Sequence, residues 1–593
     1  MSRAARGCAA TLAWLFLLCT SLAAAADASH HVIVVGSEPE GIAAAVAAAE
    51  SGARTLLVTR DERLGGLLVV GAMNVLDVRL TPVNYQRGVF ERWWNAVGRG
   101  FAYDVARGER AFAALLEQAG VELRLGADAI EPVLEGSRVV GIRIGDEAPL
   151  RAPQVIDATG DADLAAAAGA RSTFGFQSIG LDARMADTLV FRIDGVDWDA
   201  LRRGARARGR SYAYVDERVA YGHFGGHPAA YPASTPQLRL RGLNLGRQDD
   251  GTVLVNALLI YGLDPFDPSS LASGHALAAA EVDAIVEWLA RDVPGFGAAR
   301  AGWVAEALYV RQTRHLIARC VLRIDHVLDN VVTDHDVAAG GYPLDVQTLR
   351  PSDDGFVFGV PEIYGARLCM AIPAGVDGLW VVGRSAGFDP LAQSSARVVP
   401  FGMAFGEAVG VAAALAAAVG LSPAAVADDA LLVRDVREAL ASRGAYLPSV
   451  RARRPVGPIT HPHYDDYRTV LRWGLALGGY DNDPGLDVAA SRTSLLFMLS
   501  NVLQRAYGDA ASGQQLVHRF GLDNGPLEAP VAARIVAEAL CALGRCPEHD
   551  AWDALRPLGL AIDAPERPLR RGDVYALAAL VLDGRRPEHG AGR

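Results

Sequence analysis

Residues 31–66 constrain this chain more than any other stretch. An apolar run of strand length, Val32-Ile33-Val34-Val35, meets a turn bounded by Gly36 and Gly41, and an Ala-rich helix follows. After Gly52 a second apolar run ends at Val58, and the segment closes on Leu64-Gly65-Gly66. This is the pattern of a βαβ unit, which holds a dinucleotide pyrophosphate at a helix N-terminus. The expected contacts are Gly36, Ser37, Glu38, Gly41, Thr59, Arg60, Gly65 and Gly66. Two of them depart from the fingerprint. Glu38 fills the middle glycine position, where a carboxylate would repel a pyrophosphate unless it turns outward. Thr59 stands where a ribose-binding acid would end the second strand, and Arg60 beside it suits a phosphate.

The chain has 593 residues, room for three or four domains. Its net charge of -11 argues against a nucleic-acid partner, because that binding rests on a basic face. All 57 basic residues are arginines, so Schiff-base chemistry on a lysine is excluded. Residues 1–26 have the three parts of a secretory signal, with cleavage expected after Ala26 and no stable membrane anchor afterwards. Four cysteines then remain. An oxidising compartment would permit a short bridge between Cys541 and Cys546, while Cys320 and Cys369 sit in apolar surroundings and read as buried thiols. No four-ligand metal spacing is seen, so no metal is expected.

The sheet resumes at 154–157 and turns at Ala158-Thr159-Gly160. Residues 188–309 change character: strand-like runs alternate with loops rich in Arg, Gly and Pro, and a helix follows over 273–289. They read as an inserted substrate or cap domain. His223 and His227 flank Gly225-Gly226, which argues for a polar loop rather than a metal pair. The sheet returns at Val381-Val382-Gly383-Arg384. The next helix repeats Gly402, Gly406 and Gly410 every four residues, one groove able to take a planar ring or a packed helix, and the helix-packing reading is preferred for this helix alone. A Pro- and Arg-rich linker precedes three similar stretches, at 473–492, 520–534 and 558–570. Their spacing of about forty residues suits a helical array.

Three separated segments now agree. Residues 32–66, 155–169 and 310–410, the last with Arg311-Gln312-Thr313-Arg314-His315, Tyr342-Pro343-Leu344-Asp345 and Val382-Gly383-Arg384, resemble the secreted FAD-dependent oxidoreductases related to the fumarate reductase type flavoproteins. The C-terminal stretches resemble divergent S-layer homology repeats, a resemblance that implies attachment to a cell-wall polymer. The flavoprotein resemblance implies FAD as cofactor. Its ADP half would lie on Gly36 to Gly41 and near Thr59, with Ala158, Thr159 and Gly160 flanking the nucleotide. Arg384 and Gly383 would lie by the ribityl and pyrophosphate groups, and Pro400, Gly402 and Met403 would face the flavin.

On the substrate side the candidates are Arg311, Arg314, His315 and Arg397, since arginines grip carboxylates in two-pronged fashion and a nearby group can move a proton. Arg314 and His315 are expected in a helix, diverging by about 100 degrees. Gln312 and Gln347 replace an acid and a histidine of the family pattern.

The expected fold is α/β. A FAD/NAD(P)-binding Rossmann-like domain (27–187 and 310–425) carries an inserted α+β substrate domain (188–309). A helix and linker (426–464) lead to an all-α repeat domain (465–585). The expected activity is oxidation or reduction, outside the cytoplasm or at the cell surface, of a small molecule related to carboxylates or carbohydrates. Two rivals stay open: an NADP-binding protein, and a wall-binding protein whose flavin site has degenerated.

Overall fold

The computed structural model describes residues 30–208, 213–224, 230–450, 453–551 and 568–587. The signal segment, His227 and the Gly-Leu turn at 558–560 lie outside the described residues.

Short apolar runs buried on both faces make parallel strands, and five of them form one sheet. Its order is Leu379–Val381, Gln154–Asp157, Val32–Val35, Thr55–Val58 and Glu122–Arg124, with every pair parallel. The chain winds outward from Val32–Val35 in one direction, then crosses back to place Gln154–Asp157 on its other side. That reversal opens a crevice at the carboxyl ends of the two strands, where such sheets bind ligands. The helix Pro39–Glu50 starts there, its proline at the first turn where no amide partner is lost.

Two helices cover this end. Val399–Val419 lies along Pro39–Glu50, and its three glycines are what let the backbones meet. A Cβ on Gly406 would stand 2.2 Å from the Glu40 carbonyl oxygen, and one on Gly410 would stand 2.1 Å from that of Ala44. Val399–Val419 is long and apolar enough to cross a membrane, but most of it is buried inside the fold. The helix Pro390–Ala396 is capped by Asp389, whose Oδ1 accepts the amides of Leu391 and Ala392 and whose Oδ2 accepts that of Ile324.

Residues 187–304 form an antiparallel sheet built on the long strands Asp187–Asp194 and Val253–Ile260, with the helix Pro268–Asp292 against it. Val253–Ile260 is buried along its whole length.

Two expectations need correction. Cys320 and Cys369 are not free thiols. They form a disulfide with Cα atoms 5.3 Å apart, across a separation of 49 residues that sequence spacing alone does not reveal. Cys541 and Cys546 are also joined. Arg314 and His315 lie in a strand, Arg314–Leu316, that pairs with Ser172–Phe174. Their side chains therefore point to opposite faces.

The C-terminal region is helical: Tyr464–Leu471, Arg492–Tyr507, Ala510–Phe520, Ala529–Ala542 and Arg571–Leu582. Three extended segments, each two residues ahead of a helix, close into a ring. Ala490 donates its amide to the Leu569 carbonyl at 2.9 Å, Leu569 to Leu527 at 2.8 Å, and Leu527 to Ala490 at 2.9 Å. Equivalent positions of three successive stretches thus satisfy one another's backbone groups, which relates the stretches by an approximate threefold axis. The preceding linker is docked: Val456 donates to the Leu328 carbonyl at 2.8 Å, and Arg453 pairs with Glu362.

Candidate active site

The crevice is lined by the ends of the parallel strands, by the segment that follows the inserted sheet and by the junction of the two covering helices. Glu38, Glu40, Ala158, Thr159, Gly160, Gly383 and Arg384 form one part, and Tyr309, Arg311, Arg397 and Val399 the other. The crevice encloses about 410 Å³ of empty space, and Glu38 and Arg384 are among its walls.

The turn after Gln154–Asp157 is shaped by a buried carboxylate. Asp157 accepts the amide and hydroxyl of Thr159 at 2.9 and 2.6 Å and the amide of Ala165 at 2.7 Å. Burial raises it to about 6 in spite of those bonds. Gly36 must be glycine for two reasons. Its φ is +107°, and a Cβ would stand 2.4 Å from the Ala158 carbonyl oxygen. This close approach of two turns fixes the floor of the crevice.

Arg384 spans that floor. It pairs with Asp161 at 2.7 Å and presses so closely on Gly160 that a Cβ there would lie 2.7 Å from its guanidinium. Burial lowers its proton affinity, but Asp161, Glu38 and Glu40 more than reverse the effect. Glu38 accepts the Leu67 amide at 3.0 Å and covers Gly66. Desolvation raises Glu38, and it raises Glu40 to about 8 with Glu38 adding repulsion.

At the other end Arg311 and Arg397 bracket Tyr309. Arg397 donates to the Tyr309 hydroxyl oxygen at 2.7 Å, and the Arg311 guanidinium lies 4.0 Å from the centre of its ring. Arg311 is fully buried, bonded to Thr188 Oγ1 at 2.6 Å and the Ala186 carbonyl at 2.9 Å. Burial, with Arg241 and Arg397 nearby, lowers it to about 10. Desolvation acts on Arg397 in the same sense, but Tyr309, Asp345 and Asp77 outweigh it and leave that group above its usual range.

Of the residues expected from sequence, Glu38, Ala158, Thr159, Gly160, Gly383, Arg384, Arg311 and Arg397 line the crevice together. Gly36, Gly41, Gly65 and Gly66 shape the turns behind it. Ser37 and Thr59 both donate to Asp61, at 3.4 and 3.2 Å, so a carboxylate does stand at the end of the second strand, two residues later than the pattern requires. Arg60 is exposed. Arg314 bonds the Asp161 carbonyl and the Asp163 carboxylate, both at 2.7 Å, and stacks on Phe266. His315 is buried beside Gln312, 3.1 Å away. Gly402 meets Glu40 of the neighbouring helix, while Pro400 and Met403 are buried. Tyr309, Glu40 and Asp161 were missed. A tyrosine two residues before the Arg311 motif carried no spacing signal of its own.

The donor set suits FAD. Arg384 and Arg397 each keep a buried Nε–H without an acceptor among the described residues, and the dinucleotide offers phosphate and carbonyl oxygens. A Cβ at Gly383 would face open space, so the backbone there is bare toward the crevice. Glu38 sets the condition, because its carboxylate must leave the Leu67 amide or be neutral.

A family model described as FAD dependent oxidoreductase matches residues 31–440. The thiamine thiazole synthase of Aeropyrum pernix is 33% identical over 151 residues, 22% of this chain and 54% of that protein. The chain thus spans about half the length of that curated relative. Among solved structures, a geranylgeranyl bacteriochlorophyll reductase-like protein from Thermoplasma acidophilum is 14% identical with a TM-score of 0.33, covering 89% of this chain and 99% of that one. The myxobacterial chondrochloren halogenase is 14% identical with a TM-score of 0.35, covering 94% and 97%.

Proposed function

Because this chain belongs to the FAD dependent oxidoreductase family, we propose that it is a secreted flavoenzyme that oxidises or reduces a small carboxylate-bearing molecule. FAD is its cofactor and supplies hydride chemistry when bound. The observation that carries the substrate reading is the arginine pair. Arg397 donates to the Tyr309 hydroxyl and Arg311 lies against the face of the same ring, in the crevice that Arg384 and Gly160 share, which supports an anionic substrate group beside a proton donor.

Each residue then has a task. Arg384, Gly383 and the turn 158–160 hold the dinucleotide phosphates, and Asp61 with Thr59 receives the ribose hydroxyls. Arg311 and Arg397 grip the substrate carboxylate. The Tyr309 oxygen accepts from Arg397, which leaves its own O–H free to pass a proton to the substrate. Tyr309 and Arg311 are buried and Arg397 is half-buried, which limits water and strengthens those contacts.

Secretion is supported by the pattern of residues 1–26 and by two disulfides, bonds that persist in oxidising compartments. Attachment to a cell-wall polymer through 465–585 is supported by the repeated stretches and by the backbone ring through Ala490, Leu527 and Leu569.

The purified mature protein is expected to be yellow, with absorbance at about 450 nm, a property of the cofactor. An Arg384→Gln variant is expected to lose that colour while keeping its fold by circular dichroism. A colourless wild-type protein that takes up no added FAD would overturn the enzymatic reading and leave the wall-binding one.

A further inference from the structure

A second cleft, about 680 Å³ in volume, lies where the C-terminal region meets the flavin domain. It shares no lining residue with the first. Six arginines line it: Arg171, Arg319, Arg323, Arg367, Arg472 and Arg586. The chain as a whole carries a net charge of -11, so this concentration of positive charge runs against its overall balance.

Three of the arginines are engaged. Arg319 pairs with Asp428 at 2.7 Å, and Arg472 holds both oxygens of Asp325, at 2.8 and 3.0 Å. Arg323 donates to His326 Nε2 at 3.1 Å, which requires a neutral ring. Burial, with Arg323 and Arg367 beside it, lowers His326 to about 4, so that ring adds no charge near neutral pH. Asp389, the other carboxylate in the wall, spends both oxygens on backbone amides. Arg171, Arg367 and Arg586 make no side-chain hydrogen bond or salt bridge among the described residues.

The walls are held in place before any ligand arrives. The Cys320–Cys369 disulfide ties the loop of Arg319 and Arg323 to the segment of Arg367, and Arg319 donates its amide to the Ile372 carbonyl at 2.9 Å. Arg367 stands on this braced frame, and its planar fork with those of Arg171 and Arg586 matches the oxygens of carboxylate or phosphate groups.

We propose that this cleft binds a small, multiply charged oxyanion of the polycarboxylate or phosphate class, at a site separate from the flavin crevice. The full mature protein tests it by titration calorimetry with citrate and with pyrophosphate, against sodium chloride at matched ionic strength. Saturable binding of one molecule per chain is expected for at least one of them, and the stronger identifies the carboxylate or phosphate source. Arg367→Gln and Arg586→Gln should each weaken it about tenfold, the weight of one charge-assisted hydrogen bond. The flavin absorbance should not change over the pyrophosphate titration, so that binding in the cleft is told apart from binding in the crevice. Arg586 is exposed at the chain's end, so its variant tests the site without threatening the fold. Absence of saturable binding beyond the chloride control, or binding indifferent to both cleft substitutions, would overturn the proposal.

Discussion

The Glu38 carboxylate accepts the Leu67 amide at 3.0 Å and lies over Gly66, in the crevice that Arg384 also lines. Glu40 stands behind it, with Arg384 the facing cation and Asp61 and Asp161 the other carboxylates that act on Glu38. Both glutamates hold their protons more tightly in the fold than in the unfolded chain. The stability this confers is complete below about pH 4.5 and is lost as pH rises toward about 8 for Glu40.

Cofactor affinity should follow the same sign. A protonated pair tolerates the pyrophosphate and an ionised pair repels it, so FAD is expected to bind about tenfold more weakly at about pH 9 than at about pH 6. Fluorescence titration of the apoprotein measures this. Glu40→Gln should flatten the profile, and a flat profile in the wild type would count against the pair's role.

Gly410→Ala should be severely destabilising. Its Cβ would stand 2.1 Å from the Ala44 carbonyl oxygen, so the two helices must part or bend. A loss of about 3 kcal/mol or more in denaturant unfolding is expected. Gly52→Ala is the control. It has open space but a φ of +91°, and should cost only about 1 kcal/mol. Equal losses at the two positions would mean that helix packing does not depend on this glycine stripe.

These two sites also show what could be read from sequence. The crossover unit was legible because apolar runs, Gly36 and Gly41 act locally, and the glycine stripe because helical spacing is local too. The Cys320–Cys369 bond was not, since it joins loops that only the finished fold brings together. The strand of Arg314 and His315 is hidden in the sequence because three residues are too few to show its alternation. Tyr309 was invisible for a related reason. Its role arises from Arg311 and Arg397, and Arg397 is brought in by a helix that starts more than eighty positions further along.

His463 links the linker to the last described helix. Its Nδ1 lies 2.9 Å from Asp466 and its Nε2 lies 3.3 Å from Asp573. Hydrogen bonds to Asp466 and then Asp573 raise it to about 9 despite partial burial. The stabilisation is therefore full below about pH 6.5 and disappears as pH passes about 9. Unfolding of the C-terminal region should become easier over that window. His463→Gln should cost about 1–2 kcal/mol below it and much less above it, after allowance for solvent screening. A mutational cost independent of pH would show that the ring packs without acting as a cation.

Arg397 and Tyr309 give the substrate reading its sharpest consequence. Arg397 donates to the hydroxyl at 2.7 Å, so removing either partner alters a different part of the task. Short dicarboxylates such as succinate are expected to perturb the absorbance of the bound flavin, and Arg397→Gln should weaken that response about tenfold or more by deleting a charge-assisted contact. Tyr309→Phe keeps both guanidiniums and should bind the same probe within about threefold, the scale of one neutral hydrogen bond. With any substrate that reoxidises the reduced flavin, however, Tyr309→Phe should slow that half-reaction by about a hundredfold or more and remove one limb of its pH profile. A tyrosine that serves only to position Arg397 would instead weaken dicarboxylate binding and leave the pH profile intact.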